Sequence, residues 1–150
     1  MRRFFLLVFL NLFSIVLICG CYVGNKALLS SDTILEIEFQ DFFDQDTIAF
    51  EIDNCKIFEN QIITSGKVLG TTDLTVSFFS LRNYKTGVKY LNKFITCKHK
   101  YTGVIKAKVT INSIVHELQF DPINGKYFGL NVGINNKLDI LQLRRPFSHE

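Results

Sequence analysis

The sequence of 150 residues lacks the short motifs by which many enzymes are identified. It has no Gly-x-Ser-x-Gly nucleophile elbow, no His-x-x-x-His pair and no glycine-rich phosphate loop. Its histidines are isolated, at His99, His116 and His149. We therefore expect a non-catalytic protein that binds no cofactor. A small hydrolase acting through two carboxylates remains an alternative, because such a pair leaves no motif in a sequence.

Patterns of metal ligands are equally scarce. The aspartates of segment 41–46 lack the glycine and the distal glutamate of an EF-hand loop. We interpret that segment as a solvated loop with two aromatic anchors, Phe42 and Phe43. Cys97 and His99 form a lone Cys-x-His pair, which supplies too few ligands for zinc. The sequence therefore predicts no metal site.

Long apolar runs are also missing, except for one at the N-terminus. Residues 4–19 are almost entirely apolar and follow Arg2 and Arg3. This run of about 16 residues is shorter than the roughly 20 that a helix needs to cross the hydrocarbon core. A cationic start and a short apolar segment that stops at small residues are typical of an export signal. We predict a signal peptide over residues 1–20.

The end of this run, Ile18-Cys19-Gly20-Cys21, resembles the lipobox of bacterial lipoproteins. Cys19 is the less usual residue in that pattern. The resemblance implies cleavage before Cys21 and diacylation of its thiol, which would leave the protein anchored in the cell envelope. Because Tyr22 rather than aspartate follows, it also implies the periplasmic face of an outer membrane. The alternatives are a secretory signal cut elsewhere and an uncleaved membrane anchor.

Loss of the signal changes what charge and cysteine content imply. The chain has 17 Lys and Arg against 14 Asp and Glu, and two of the cations leave with the signal. The mature chain is thus nearly neutral, which gives no reason to expect nucleic acid as a partner. With Cys19 removed and Cys21 acylated, Cys55 and Cys97 remain. We expect them to form a disulfide, as exported domains favour; two unpaired buried thiols are the alternative.

The rest of the chain alternates apolar and polar residues, a pattern that predicts β-strands. The alternation is clearest at 35–39 and recurs at 48–52, 74–78 and 105–111. Asp53-Asn54 and Asn112-Ser113 are turn candidates between such strands. We predict a single all-β antiparallel sandwich of about eight strands, immunoglobulin-like or transthyretin-like, after the signal helix.

The domain boundaries follow from these segments. Residues 21–32 are expected to be the lipid-anchored tether, and residues 33–150 the β-sandwich domain. Pro146 ends the last strand, and Phe147 is expected to hold the C-terminal tail against the domain.

A basic stretch with aromatic residues over 81–94 is the candidate binding surface. Such a composition suits single-stranded nucleic acid, but an envelope location argues against that partner. We expect a protein partner, with anionic lipid headgroups or a merely solvated loop as alternatives. The candidate residues are Arg82, Tyr84, Lys85, Lys89 and Tyr90.

These observations together predict a lipid-anchored, non-catalytic protein of the cell envelope. It would bind another macromolecule through loops or an edge strand of its sandwich. The alternative is a periplasmic immunity or inhibitor protein that blocks a toxin or an envelope hydrolase.

Overall fold

The computed structural model describes residues 29–81, 85–98, 101, 103–133 and 137–148, with backbone only for 29–32. The predicted signal peptide, its helix and the lipidation residue Cys21 lie outside this part of the chain. No helix among the described residues is long and apolar enough to span a membrane.

Ten strands make up the fold. β1 begins N-terminal to Thr33, the predicted first residue of the domain, because its pairing with a later strand extends back to Leu29↔Leu81. The strands are β1 (Leu29–Phe39), β2 (Asp46–Ile52), β3 (Cys55–Ile63), β4 (Leu74–Leu81), β5 (Thr86–Tyr90), β6 (Lys93–Cys97), β7 (Ile105–Ile111), β8 (Ile114–Phe120), β9 (Tyr127–Val132) and β10 (Leu138–Leu143).

The strands form two sheets, which confirms the predicted all-β sandwich. The six-stranded sheet has the order β10-β9-β1-β4-β5-β6, and the four-stranded sheet has the order β3-β2-β7-β8. Ten strands replace the expected eight or so, because the basic stretch 81–94 contains β5 and the start of β6. Neighbouring strands are antiparallel except β1 and β9, which are parallel. No tight turn joins those two strands, so nothing local fixes their relative direction.

The strand order differs from that of an immunoglobulin constant-type sandwich, which places its first two strands in one sheet. Here β1 and β2 belong to different sheets.

The core lies between the sheets and follows the predicted alternation. In β1 the side chains of Leu35, Ile37 and Phe39 are fully buried. Phe39 lies at the centre of an aromatic cluster, with ring centroids 5.8–6.1 Å from those of three other phenylalanines. Edge-to-face contacts of this kind add about 0.5–1.5 kcal/mol each beyond the area buried. The three neighbouring rings are those of Phe43, Phe50 and Phe58.

A disulfide joins the two sheets along one side. Cys55 is the first residue of β3 and Cys97 is the last residue of β6, and these are edge strands of different sheets. Their Cα atoms are 5.8 Å apart and their sulfurs are bonded. The predicted pairing is therefore present in the structure, and it closes the side of the sandwich where β3 and β6 meet.

The connections between strands alternate regularly between the two ends of the sandwich. At one end, here called the entry end, the chain enters β1 and leaves β10; the turn Asp53-Asn54 lies there. The opposite, distal end carries the turn Asn112-Ser113. Both residues of each turn have positive φ, as the tight hairpin turns predicted for these pairs require.

The C-terminal tail folds back onto the six-stranded sheet, as predicted for Phe147. A Cβ placed on Gly129 of β9 would come within 3.0 Å of the Phe147 ring and would collide with the side chain of Gln40. Both side chains therefore lie directly against the backbone of Gly129. The tail and Gln40 thus cover this part of the sheet.

Tyr101 closes the core near the entry end. Its ring packs edge-on against Phe78, with the centroids 6.1 Å apart. Burial, with a smaller contribution from the charge of Asp53, raises the pKa of the Tyr101 hydroxyl well above its ordinary value.

Candidate interaction surface

The structure divides the predicted binding residues between surface and core. Lys85 and Lys89 are exposed, whereas Tyr90 is only 6% exposed. The Tyr90 ring packs against Phe58 with the centroids 5.3 Å apart. The alternation along β5 explains this, because Val88 and Tyr90 share the inward face. Tyr90 is thus a core residue rather than a binding residue, and Arg82 and Tyr84 lie outside the described residues.

The outer face of the four-stranded sheet carries a row of alternating charges. Cross-strand pairing places Lys56, Glu51, Lys108 and Glu117 side by side on four neighbouring strands. Pairs of opposite charge at such positions contribute roughly 0.2–1 kcal/mol each. A shallow polar cavity of about 290 Å³ lies on this face, lined in part by three of these residues. Each charge has an opposite neighbour, so the row stabilises the sheet and creates no strong local charge.

The distal end presents an exposed aromatic side chain, that of Phe42. It lies in the β1–β2 connection (40–45) and is 76% exposed. Its φ of 68° is in the left-handed region, which costs a bulky residue about 1–3 kcal/mol. The neighbouring Phe43 is buried. The expectation that both phenylalanines anchor the loop is therefore right for Phe43 and wrong for Phe42, which points into solvent.

Hydrogen bonds on both sides hold the loop that carries Phe42. The N–H of Phe43 donates to Ser65 Oγ at 2.9 Å, and the N–H of Ser65 donates to the carbonyl of Phe43 at 2.8 Å. On the other side, the N–H of Asp41 donates to Asn131 Oδ1 at 3.0 Å. These bonds fix the backbone on either side of Phe42, so the loop has little backbone freedom to lose on binding.

The β3–β4 connection (64–73) lies beside this loop. Gly70, whose φ is +63°, lies so close to Asp41 that a Cβ would collide with the Asp41 carboxylate. The two residues before it, Val68 and Leu69, are exposed. Their apolar side chains are therefore exposed at the same end of the sandwich as Phe42.

The hairpin β5–β6 contributes one more exposed apolar residue to the same end. Leu91, at the hairpin turn, also has positive φ and is about half exposed. Phe42 and Leu91 are the bulky apolar residues with a left-handed backbone in the described part of the chain. We call the exposed apolar residues in the described connections of this end the distal surface; they are Phe42, Val68, Leu69 and Leu91.

Acidic residues outnumber basic ones in the loops around the distal surface. Asp41 and Asp44 flank Phe42, and Asp73 lies between Leu69 and Leu91 along the chain. Lys67 and Lys137 are the basic residues in the described connections of this end. The surface thus combines apolar side chains with an acidic border.

The sequence does not predict the distal surface, because the exposure of Phe42 depends on its backbone conformation. Phe42 and Phe43 are identical in type and adjacent, and only the left-handed backbone at Phe42 separates an exposed ring from a buried one. The sequence feature that could have indicated it is the pair of apolar residues Val68 and Leu69 in the long β3–β4 connection.

No metal site is evident in the geometry of the described residues, where no group of three or more His, Cys, Asp or Glu side chains could hold an ion. No family model matches the chain, and no curated protein or solved structure is similar enough to count as a match.

Proposed function

We propose that this chain is a lipid-anchored, non-catalytic protein of the cell envelope that binds a protein partner through the distal surface. The observation that carries the proposal is Phe42, a fully presented aromatic ring on a strained backbone that hydrogen bonds hold in place. Exposed aromatic residues on a rigid support are typical of binding hot spots. Strain of this kind is concentrated at functional sites.

Leu29, the first described residue after the proposed anchor, lies at the entry end, opposite the distal surface. Cys21 precedes Leu29, the first residue of β1, by eight positions. A tether of that length spans at most about 28 Å. The entry end would therefore be held near the membrane, and the distal surface would face away from the lipid, where a partner can reach it.

The chemistry of the distal surface indicates the kind of partner that it fits. A partner that buries Phe42 needs an apolar pocket, and the acidic border favours basic residues around that pocket. This chemistry also suits the alternative function, an immunity or inhibitor protein that blocks a toxin or an envelope hydrolase. Identification of the partner separates the two functions.

Photo-crosslinking in the producing cells tests the proposal. We expect a photoreactive phenylalanine analogue at position 42 of the full chain to form a discrete adduct with one envelope protein. Phe94 provides a matched control, because it is also an exposed phenylalanine but lies on β6, in the outer face of the six-stranded sheet. The analogue at position 94 is expected to give no such adduct.

Two results would contradict the proposed binding surface. One is the absence of an adduct at position 42 in cells that contain the correctly exported chain. The other is an adduct at position 94 alone, which would move the binding surface to the hairpin β5–β6. An adduct with a secreted toxin or hydrolase, together with inhibition of its activity, would establish the immunity or inhibitor function.

A further inference from the structure

We propose that the entry end is a docking surface for a bilayer of anionic lipids, so that the domain rests on the membrane as well as being tethered to it. The inference rests on the lipid anchor of the proposed function for its orientation. Its own basis is the distribution of charge between the two ends of the sandwich.

Strand pairing brings the basic residues of the entry end together. Leu29 pairs with Leu81, and the N–H of Leu81 donates to the carbonyl of Lys85 at 2.9 Å. Thr86 pairs with Cys97, so Lys98 lies one residue beyond this pair, at the end of β6. These contacts place Lys85 and Lys98 at the end of the sandwich where the chain arrives from the tether.

The β8–β9 connection and the C-terminal tail add three cations to the same end. The Nε of Arg144 donates to the carbonyl of Asn124 at 3.4 Å, which ties the tail to that connection. Lys126 and Arg145 are exposed close by. With Lys85 and Lys98, the described connections of the entry end carry five cations, against two acids, Asp53 and Asp121.

The distal end has no such excess of cations. Its described connections carry three aspartates and two lysines. The nearly neutral mature domain therefore has a basic end and an end close to neutral. An anionic surface would attract the basic end more strongly, and so would orient the domain with its entry end towards the lipid.

Exposed apolar side chains accompany the cations. Ile123, in the β8–β9 connection, is 86% exposed, and Val104, just before β7, is about half exposed. Apolar side chains beside basic residues can enter the headgroup region while the cations contact phosphates. Because the tether is at most about 28 Å long, the anchor would hold these side chains within reach of the headgroups.

Vesicle co-sedimentation of the mature chain carrying Cys21→Ser tests the inference without the lipid. We expect binding to vesicles of phosphatidylglycerol and phosphatidylcholine, none to phosphatidylcholine alone, and loss of binding at high salt. Each neutralised cation is expected to weaken binding by roughly fivefold. The variant for this measurement combines Lys85→Gln, Lys98→Gln, Arg144→Gln and Arg145→Gln.

The matched control changes two lysines at the distal end, Lys67→Gln and Lys137→Gln, and is expected to bind as the parent chain does. Circular dichroism establishes that every variant is folded. The inference is overturned if the parent chain does not bind anionic vesicles. It is also overturned if the distal variant loses as much binding per neutralised charge as the variant of the entry end. Binding to a single-stranded oligonucleotide but not to vesicles would also overturn it.

The outcome is separable from the proposed function. A diacylated Cys21 together with no vesicle binding by the unacylated chain would remove the docking surface and leave the anchor. Vesicle binding by the unacylated chain, with no lipid on Cys21 in the native protein, would leave the basic surface and remove the anchor.

Discussion

Replacement of Phe39 with alanine is expected to lower the free energy of unfolding by about 3–5 kcal/mol. Phe39, in the six-stranded sheet, is fully buried, and its ring contacts those of Phe50 and Phe58 in the four-stranded sheet and that of Phe43 in the β1–β2 connection. The substitution removes this shared packing and leaves a cavity that the surrounding strands cannot close. Urea denaturation followed by circular dichroism measures the loss.

Phe42→Ala is the matched control, because it removes the same ring three residues along the chain. Its side chain is exposed, so we expect a change in unfolding free energy within about 0.5 kcal/mol. In co-purification with the partner identified by crosslinking, however, Phe42→Ala should abolish binding. A large loss of stability in Phe42→Ala would show that its ring is buried, and would contradict the distal surface.

The double substitution Cys55→Ser and Cys97→Ser is expected to lower the free energy of unfolding by about 2–4 kcal/mol. The bond closes a loop between residues 42 positions apart and connects edge strands of the two sheets, so its loss frees the unfolded chain and opens one side of the sandwich. The measurement compares urea unfolding of the parent and variant chains with and without reductant.

Reductant provides the internal control for the disulfide. It should destabilise the chain that retains both cysteines and leave the double variant unchanged. Cys21→Ser, made in the same mature chain, should not alter the effect of reductant. Equal stability of the parent chain with and without reductant, or alkylation of both thiols without reductant, would show that the bond does not form.

The sequence predicts the local structure well where alternation and turn chemistry agree. The period of two along β1 identifies Leu35, Ile37 and Phe39 as inward residues, and their burial confirms it. The positive φ values at Asp53-Asn54 and Asn112-Ser113 confirm these two turns. They are predictable because Asp and Asn tolerate positive φ. These features depend on residues that are close together along the chain, so they can be predicted from the sequence alone.

Features that depend on distant contacts were less accessible. The parallel pairing of β1 with β9 joins segments about 90 residues apart, and no local pattern indicates it. The assignment of Tyr90 to a binding surface was wrong. Alternation along β5 turns the side chains of Val88 and Tyr90 inward, and the basic composition of the stretch does not reveal this. The distal surface depends on a left-handed backbone at Phe42, which propensity for a bulky residue argues against.

The proposed anchoring of this domain to the membrane through Cys21 is tested by the mass of the N-terminal peptide of the mature protein. The protein is purified from the membranes of cells that export the full chain, digested, and analysed by mass spectrometry. We predict that Cys21 is the first residue and that it carries a diacylglyceryl group. A mature chain that begins elsewhere, or that begins at an unmodified Cys21, would contradict the claim.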